Sequence, residues 1–179
     1  AKSIPGVAKV TVGSGIRYDV LMCDPEHRRL LEEIIANHIS GQLKIAPEHT
    51  IPKVLRAMRK TPLFDLSKFV TLFRELTAQQ GKEQYLLPYL MSCHPGSTFQ
   101  DMQAMHKEIV SIFGSIPHQV QAFIPLPMTL SSVIYYTGID PLTGEHFEVV
   151  RDMDARRKQH QVFFTAIVCK TTKTHKKDH

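Results

Sequence analysis

The chain has 179 residues, of which 42% are hydrophobic, and this is enough for one well-formed core. It contains neither an apolar run long enough to cross a bilayer nor a signal-peptide pattern, so we expect no membrane association and a cytoplasmic location. Its three cysteines are widely spaced, which excludes a disulfide framework and a CxxC-type metal motif.

The formal net charge of +5 suits nucleic acid at first sight. However, residues 170–179 hold four lysines and one aspartate, and this tail alone carries +3. The remaining body has no basic stripe with interleaved aromatic residues. We therefore expect a solvated basic tail, and nucleic-acid binding is the weaker alternative.

The first half of the chain alternates between strand and helix patterns. Residues 7–12 favour a strand that ends at a glycine-rich loop, and Asp24 followed by Pro25 predicts a helix start. Residues 42–45 form the second predicted strand. The next helix opens at residues 50–52, and Asp65 is expected to cap the helix after it, which Gly81 ends.

The second half continues the alternation. Residues 84–91 are apolar on both faces, as in a buried parallel strand, and Thr98 is expected to cap a helix over residues 99–113. Residues 120–124 form the fourth predicted strand. Asp154 is expected to cap a last helix over residues 155–168. Four strand–helix pairs predict an α/β fold with a parallel sheet and right-handed crossovers.

Four strands are too few for a closed (β/α)₈ barrel. A doubly wound sheet stays possible, but neither of the usual glycine-rich phosphate loops is present. The other alternative is a piece of a larger open barrel. Such a piece would leave the strand at residues 7–12 unpaired and open to self-association.

Polar residues follow the carboxyl ends of the predicted strands, which face one mouth in a parallel barrel. The candidates for a cofactor or substrate pocket are Ser14, Arg17, Tyr18, Glu48, His49, Ser92, His94 and Gln121. A guanidinium suits a carboxylate or phosphate, a glutamate suits an amine or ribose hydroxyls, and a histidine moves protons near neutral pH.

Structural roles are the alternative for the same residues. Arg17 could pair with Asp19 on the surface, Glu48 could cap the following helix, and His94 could be an ordinary turn residue. The three cysteines are most simply small buried hydrophobic residues: Cys23, Cys93 and Cys169. A metal site built from Cys93, His94 and His49 has no diagnostic spacing, so we expect no metal.

Four longer motifs occur in order: "VGSGIRYD", "GQLKIAPEHT…VLRAMRK", "QYLLPYLMSCHPGSTFQDM" and "VQAFIPLPMTLSSVIYYTG". Together they closely resemble the YgiQ-type (UPF0313) family of radical SAM proteins over about residues 9–161. The resemblance implies an open, partial (β/α)₆ TIM-like barrel. It also implies a 4Fe–4S cluster that reduces S-adenosylmethionine and releases a 5′-deoxyadenosyl radical.

One element of that family is absent from this sequence. The family holds its cluster through CxxxCxxC, and here no two cysteines lie within four residues of each other. The resemblance therefore implies that residues 1–150 form the last four βα units of the barrel, followed by a helix and a flexible basic tail over residues 151–179. The first units, with the cluster, would lie upstream or on another chain.

Two functions stay open from the sequence. The first is part of a radical SAM enzyme that is inactive alone, with S-adenosylmethionine and the cluster bound only by the full-length protein. The second is a non-catalytic module on the same scaffold, which binds a ligand or partner. In the first case the partner of this chain is the missing amino-terminal barrel region.

Overall fold

A computed structural model describes residues 4–60, 64–117 and 119–174, with side chains up to residue 164. The helices and strands in chain order are α1 (Tyr18–Leu21), α2 (His27–Asn37), β1 (Gln42–Glu48), α3 (Pro52–Ala57), α4 (Leu66–Gln79), β2 (Tyr85–Ser92), α5 (Phe99–Phe113), β3 (Val120–Ala122), α6 (Leu130–Thr137) and α7 (Met153–Thr174). The strands form a three-stranded parallel sheet in the order β1–β2–β3. This α/β architecture is compatible with part of a βα barrel.

The chain divides into two compact units, and each is described by itself. The first unit comprises Ala1–Pro47 and Pro62–Tyr89, and the second comprises Glu48–Thr61 and Leu90–His179. The division expected at residue 150 stays a prediction.

Helix α4 provides a large apolar face in the first unit. Phe69 and Phe73 lie one turn apart on this face and are at most 1% exposed. The helix packs against α1 and α2, and the ring of Tyr18 in α1 lies 5.4 Å from that of Phe69. The carboxylate of Asp65 accepts hydrogen bonds from two backbone N–H groups in the first turn of α4, which confirms the predicted cap.

The prediction of a strand at residues 7–12 is wrong. These residues form no strand in the described structure and are mostly exposed, and the N–H of Val12 donates to the carbonyl of His38 at 2.9 Å. A single parallel bridge joins Ile16 to Ile45 of β1 instead. Strand-forming residues need a half-buried sheet surface to pack on, and this segment does not have one. The strand edge on which the expected self-association depended is therefore not formed by residues 7–12.

Two predicted helix starts are misplaced by a few residues. Helix α2 begins at His27, and Asp24 lies in the preceding turn, where its carboxylate accepts from the N–H of Glu26 at 2.8 Å. Helix α7 begins at Met153, and Asp152 rather than Asp154 accepts the hydrogen bond of the first turn. Asp24 thus uses its carboxylate in a local turn before α2, and Asp152 takes the capping role expected of Asp154.

The carboxyl-terminal elements also differ in length from the prediction. Strand β3 stops at Ala122, two residues early. The backbone of α7 stays helical to Thr174, beyond the predicted end at residue 168. The final residues of the predicted flexible tail, 175–179, lie outside the described residues.

Helix α5 is where sequence and structure agree most closely in the second unit. Thr98 and Asp101 form a capping box at its start, and Gly114 ends it with a φ of 74°. Helix α7 packs against both α5 and β3. Met102 of α5 and Phe163 of α7 are fully buried and belong to the core of this unit.

We predict that Gly96→Ala destabilises the second unit more than Gly114→Ala. Both glycines have positive φ, but a Cβ at Gly96 would lie 2.9 Å from the ring of Phe147, whereas a Cβ at Gly114 would meet nothing within 4 Å. Conformational strain alone costs about 1–2 kcal/mol, and overpacking adds about 1–3 kcal/mol at Gly96. Urea unfolding of both variants measures the difference, and equal losses would contradict the steric explanation.

Candidate functional site

The exits of β1 and β2 share an unusual backbone conformation. Glu48 ends β1 with a φ of 63°, and Cys93 follows β2 with a φ of 61°. Arg59 and Met128 also have positive φ, and these four are the non-glycine residues with that conformation in the described ranges. Left-handed backbone is costly for such residues and collects at functional sites. All four belong to the second unit, which directs attention to its surface.

A cavity of about 510 Å³ in the second unit is lined by Glu48 and by residues that are adjacent in sequence to the other three. Its polar lining consists of Glu48, Lys60, His94, Gln121, Thr129 and Ser131. Its apolar lining consists of Met58, Met91, Ala122, Phe123, Ile124 and Leu126. A mostly apolar cleft of this size with a few polar groups is typical of a small-molecule site.

Three of the predicted pocket residues line this cavity: Glu48, His94 and Gln121. One alternative interpretation expected Glu48 to cap the following helix, but Glu48 does not do so. Its Oε1 accepts from Nζ of Lys60 at 3.2 Å, and both side chains are largely shielded from solvent. Lys60 therefore orients the carboxylate on the cavity wall.

His94 is held in one tautomer by its two neighbours. Its Nδ1 lies 2.9 Å from the carbonyl oxygen of Pro95, and because that oxygen can only accept, Nδ1 carries the proton. Burial lowers the pKa of His94 to about 4, so the ring is neutral at pH 7. Its Nε2 is then an acceptor, and the Ser131 hydroxyl donates a hydrogen bond to it at 2.9 Å. The ring of Phe123 packs edge-on against it.

His49 and Ser92 lie behind the cavity rather than in its lining. Nδ1 of His49 accepts from the backbone N–H groups of Thr50 and Ile51, both at 3.1 Å. The imidazole thus stabilises the turn that leads into α3, a helix whose start has no side-chain cap. Burial lowers the pKa of His49 to about 4. Ser92 is fully buried and bonds to Nδ1 of His160 in α7 at 3.0 Å.

The remaining three candidates belong to the first unit. Arg17 forms a two-pronged pair with Asp19, with nitrogen–oxygen distances of 2.8 and 2.7 Å. This is the ion pair that the alternative interpretation expected, although Asp19 is buried. Tyr18 is a core residue, and Ser14 is exposed.

Arg156 of α7 connects the exits of β2 and β3. Its guanidinium donates to the carbonyls of Cys93 and Val150, each at 3.4 Å, and to that of Phe123. The thiol of Cys93 donates back to the carbonyl of Arg156 at 3.2 Å. These bonds satisfy backbone acceptors where the strands end and fix the positions from which His94 and Phe123 reach the cavity.

Comparison with known proteins assigns the family. The chain is 46% identical over 158 residues to a UPF0313 protein of Methanosarcina mazei, which covers 88% of this chain and 25% of that protein. Over this length the chain belongs to the UPF0313 family. A UPF0313 protein of Methanocella arvoryzae is 44% identical over 156 residues, which is 87% of this chain and 25% of the relative. One from Thermotoga neapolitana is 38% identical over 160 residues, which is 89% of this chain and 28% of the relative.

The UPF0313 chain spans about a quarter of the length of these curated relatives. Residues 118–165 match the family model described as a domain of unknown function (DUF3362). That match begins just before β3 and includes most of the cavity's apolar rim. No solved structure matches the chain significantly.

The cysteines of the UPF0313 chain do not fit the cluster that the resemblance implies. Cys23 is exposed in the first unit, which contradicts the expectation of a buried residue. Cys93 is buried as expected, and burial raises the pKa of its thiol, which opposes the thiolate needed for iron. The side chain of Cys169 lies outside the described residues. Within the described ranges, no group of three or more His, Cys, Asp or Glu residues is placed to hold a metal ion.

The helices of this UPF0313 chain also bear on the membrane question. In the part of the chain that the structure describes, none of them combines the length and apolar character needed to cross a bilayer.

Several lining residues were not predicted as site residues. The helical spacing of Met58 in the sequence is typical of a core position, but this residue lines the cavity. Ser131 and Lys60 carry no local motif, and each reaches the site only because a long segment folds back. The one signal that was available is the run of apolar residues and prolines at 123–128, where Ile124 is 71% exposed. An exposed apolar loop after a strand indicates a binding surface.

We predict that Arg156→Leu lowers the free energy of unfolding by about 3 kcal/mol, because it leaves several carbonyls without a charged donor. The matched control is Arg157→Leu in the same helix. Arg157 is exposed and pairs with the exposed carboxylate of Asp154, so its loss should cost less than about 1 kcal/mol. Urea unfolding measures both. A similar loss in the two variants would show that Arg156 does not hold the strand ends.

We predict that the chain loses stability between pH 6.5 and about 4. In the folded state His49 and His94 have a pKa of about 4, and their ordinary value is 6.5. Between these values the unfolded chain binds protons that the folded chain does not, so unfolding becomes easier as the pH falls. Each histidine contributes roughly 3 kcal/mol to this loss.

The test is urea unfolding from pH 7 to pH 4.5. His49→Asn retains a side-chain oxygen that can accept from the N–H groups of the turn before α3 but removes the titrating ring, so its stability should depend less steeply on pH. His146→Asn, at an exposed position of the same unit, is the matched control. An unchanged slope in His49→Asn would show that His49 is not the acid-sensitive group.

Proposed function

We propose that this UPF0313 chain is part of a radical SAM protein and that the cavity of its second unit takes part in binding S-adenosylmethionine or the substrate. The observation that carries this proposal is the cavity at the exits of β2 and β3, which is lined by Glu48, His94 and Gln121. Ligands of α/β folds bind at the carboxyl ends of strands. The proposed fold of the whole protein is the open (β/α)₆ barrel of that family.

The chemistry of the lining supports a nucleoside-containing ligand. Glu48 offers a carboxylate to amino or hydroxyl donors, and Gln121 can both donate and accept. Phe123 and Ile124 provide apolar surface for a flat ring. An adenosyl group combines a flat ring with amino and hydroxyl donors. The apolar surface and the hydrogen-bond acceptors of the cavity therefore fit S-adenosylmethionine.

The cluster belongs to a different part of the proposed assembly. Since the described cysteines do not fit it, we infer that residues outside this chain hold the 4Fe–4S cluster. The whole protein would then cleave S-adenosylmethionine reductively to a 5′-deoxyadenosyl radical, and no part of that step is assigned to residues of this chain.

The test is titration of the 179-residue chain with S-adenosylmethionine, followed by calorimetry and by NMR of the cavity residues. We expect saturable binding that Glu48→Gln weakens roughly tenfold, because a hydrogen bond to a carboxylate is replaced by one to a neutral amide. Glu108→Gln, on an exposed position of α5, is the matched control and should bind like the unaltered chain.

A second readout of the same preparation addresses the cluster. After anaerobic reconstitution we expect no stoichiometric iron and sulfide in the chain, and tight stoichiometric incorporation would contradict the assignment of the cluster to other residues. Absence of S-adenosylmethionine binding would contradict the role of the cavity. In that case the non-catalytic binding module becomes the better description of this chain.

A further inference from the structure

The hydroxyl of Ser131 has an orientation that a neighbouring side chain fixes. Ser131 lies in the first turn of α6, is half-buried, and lines the cavity. A serine hydroxyl has one proton and two lone pairs, and it normally adapts to whatever ligand approaches. In this structure the imidazole of His94 determines the direction in which the hydroxyl proton of Ser131 points.

The carbonyl of Pro95 determines the tautomer of His94, and this tautomer determines the direction of the Ser131 hydroxyl. That oxygen accepts from Nδ1 of His94 at 2.9 Å, so the opposite nitrogen of the neutral ring has only a lone pair. Nε2 lies 2.9 Å from Oγ of Ser131, and the hydroxyl must donate to it. The single proton of Ser131 is thereby directed away from the cavity. What Oγ presents to a ligand is acceptor capacity alone.

The surroundings make this arrangement rigid. His94 is 3% exposed, and the ring of Phe123 packs edge-on against the imidazole with ring centres 4.9 Å apart. Burial keeps the pKa of His94 far below neutrality, so protonation does not reverse the hydrogen bond at pH 7. A preorganised acceptor costs little to use when a ligand binds.

We propose that Ser131 is a specificity-determining residue of the cavity, which accepts a hydrogen bond from a hydroxyl or amino group of the ligand and disfavours an acceptor at the same position. Glu48 is a second acceptor in the same lining. The expected ligand class is therefore an apolar body that carries two or more hydroxyl or amino donors. His94 acts through Ser131 and is a positioning residue.

This inference depends on the proposed function only in taking the cavity as a ligand site. It does not require the ligand to be S-adenosylmethionine. A pair of probes that differ in one group can therefore test it independently of any nucleotide: cyclohexanol, which can donate a hydrogen bond, and cyclohexanone, which can only accept one.

The experiment is NMR titration of the 179-residue chain with each probe, following the resonances of the cavity residues at pH 7. We expect cyclohexanol to bind about three- to tenfold more tightly than cyclohexanone, the factor of one neutral hydrogen bond. Ser131→Ala should abolish the preference, with the fold verified by the unchanged spectrum of the remaining residues. Ser111→Ala, on an exposed position of α5, should retain it.

The role of His94 has its own readout. In His94→Phe the ring volume stays but the acceptor is lost, so the hydroxyl of Ser131 can turn toward the cavity and donate. We expect the preference to shift toward cyclohexanone, a reversal that simple loss of packing would not produce. Nitrogen chemical shifts of His94 in the unaltered chain should show the proton on Nδ1.

Four results would overturn the proposal: equal binding of the two probes, a preference for the ketone in the unaltered chain, a preference that survives Ser131→Ala, or no binding of either probe in the cavity. If the alcohol preference is present but S-adenosylmethionine does not bind, the proposed function fails while the role of Ser131 stands. If S-adenosylmethionine binds without any alcohol preference, only the role of Ser131 fails.

Discussion

The guanidinium of Arg156 is the interaction on which the site depends. Parallel strands that stop beside one another leave carbonyl oxygens that no further strand satisfies, and a buried unpaired carbonyl is costly. Arg156 reaches from α7 to the carbonyls of Cys93, Val150 and Phe123. Because the Cys93 carbonyl adjoins His94 and the Phe123 carbonyl belongs to a lining residue, the same bonds that complete the backbone also set the positions of the His94 and Phe123 side chains.

Two buried histidines also take part in hydrogen bonds that order the site, and in these bonds the acceptor is an imidazole nitrogen rather than a carbonyl oxygen. His49 uses Nδ1 as an acceptor for two backbone donors in the turn before α3, and His94 uses Nε2 as an acceptor for a hydroxyl. Both roles require the neutral ring, and burial supplies it by lowering the pKa of each. The histidines that looked like proton carriers in the sequence are thus fixed acceptors at neutral pH. One stabilises the turn before α3, and the other determines how a serine faces the ligand.

Residues that begin or end a helix were predicted correctly from the sequence where the structure depends on a single turn. Thr98 and Gly114 bound α5 as predicted, and Asp65 caps α4. The sequence signals were misleading where a segment needs a distant surface. Residues 7–12 have strand-forming composition, yet they form no strand, because β propensity depends on packing against neighbours. The spacing of Met58 suggested the core for a similar reason, since periodicity reports a buried face without telling whether protein or a cavity lies beside it.

By itself, the sequence determined the alternation of strands and helices, the family, and three of the cavity's polar residues: Glu48, His94 and Gln121. Each lies at or near the carboxyl end of a strand, and parallel strands bring such positions to one edge. Only the tertiary structure decided the chemistry of these residues. Lys60 orients Glu48 across 12 positions of the chain, and Ser131 meets His94 across 37. Hydrogen-bond direction and burial arise from such long-range contacts, and no local pattern encodes them.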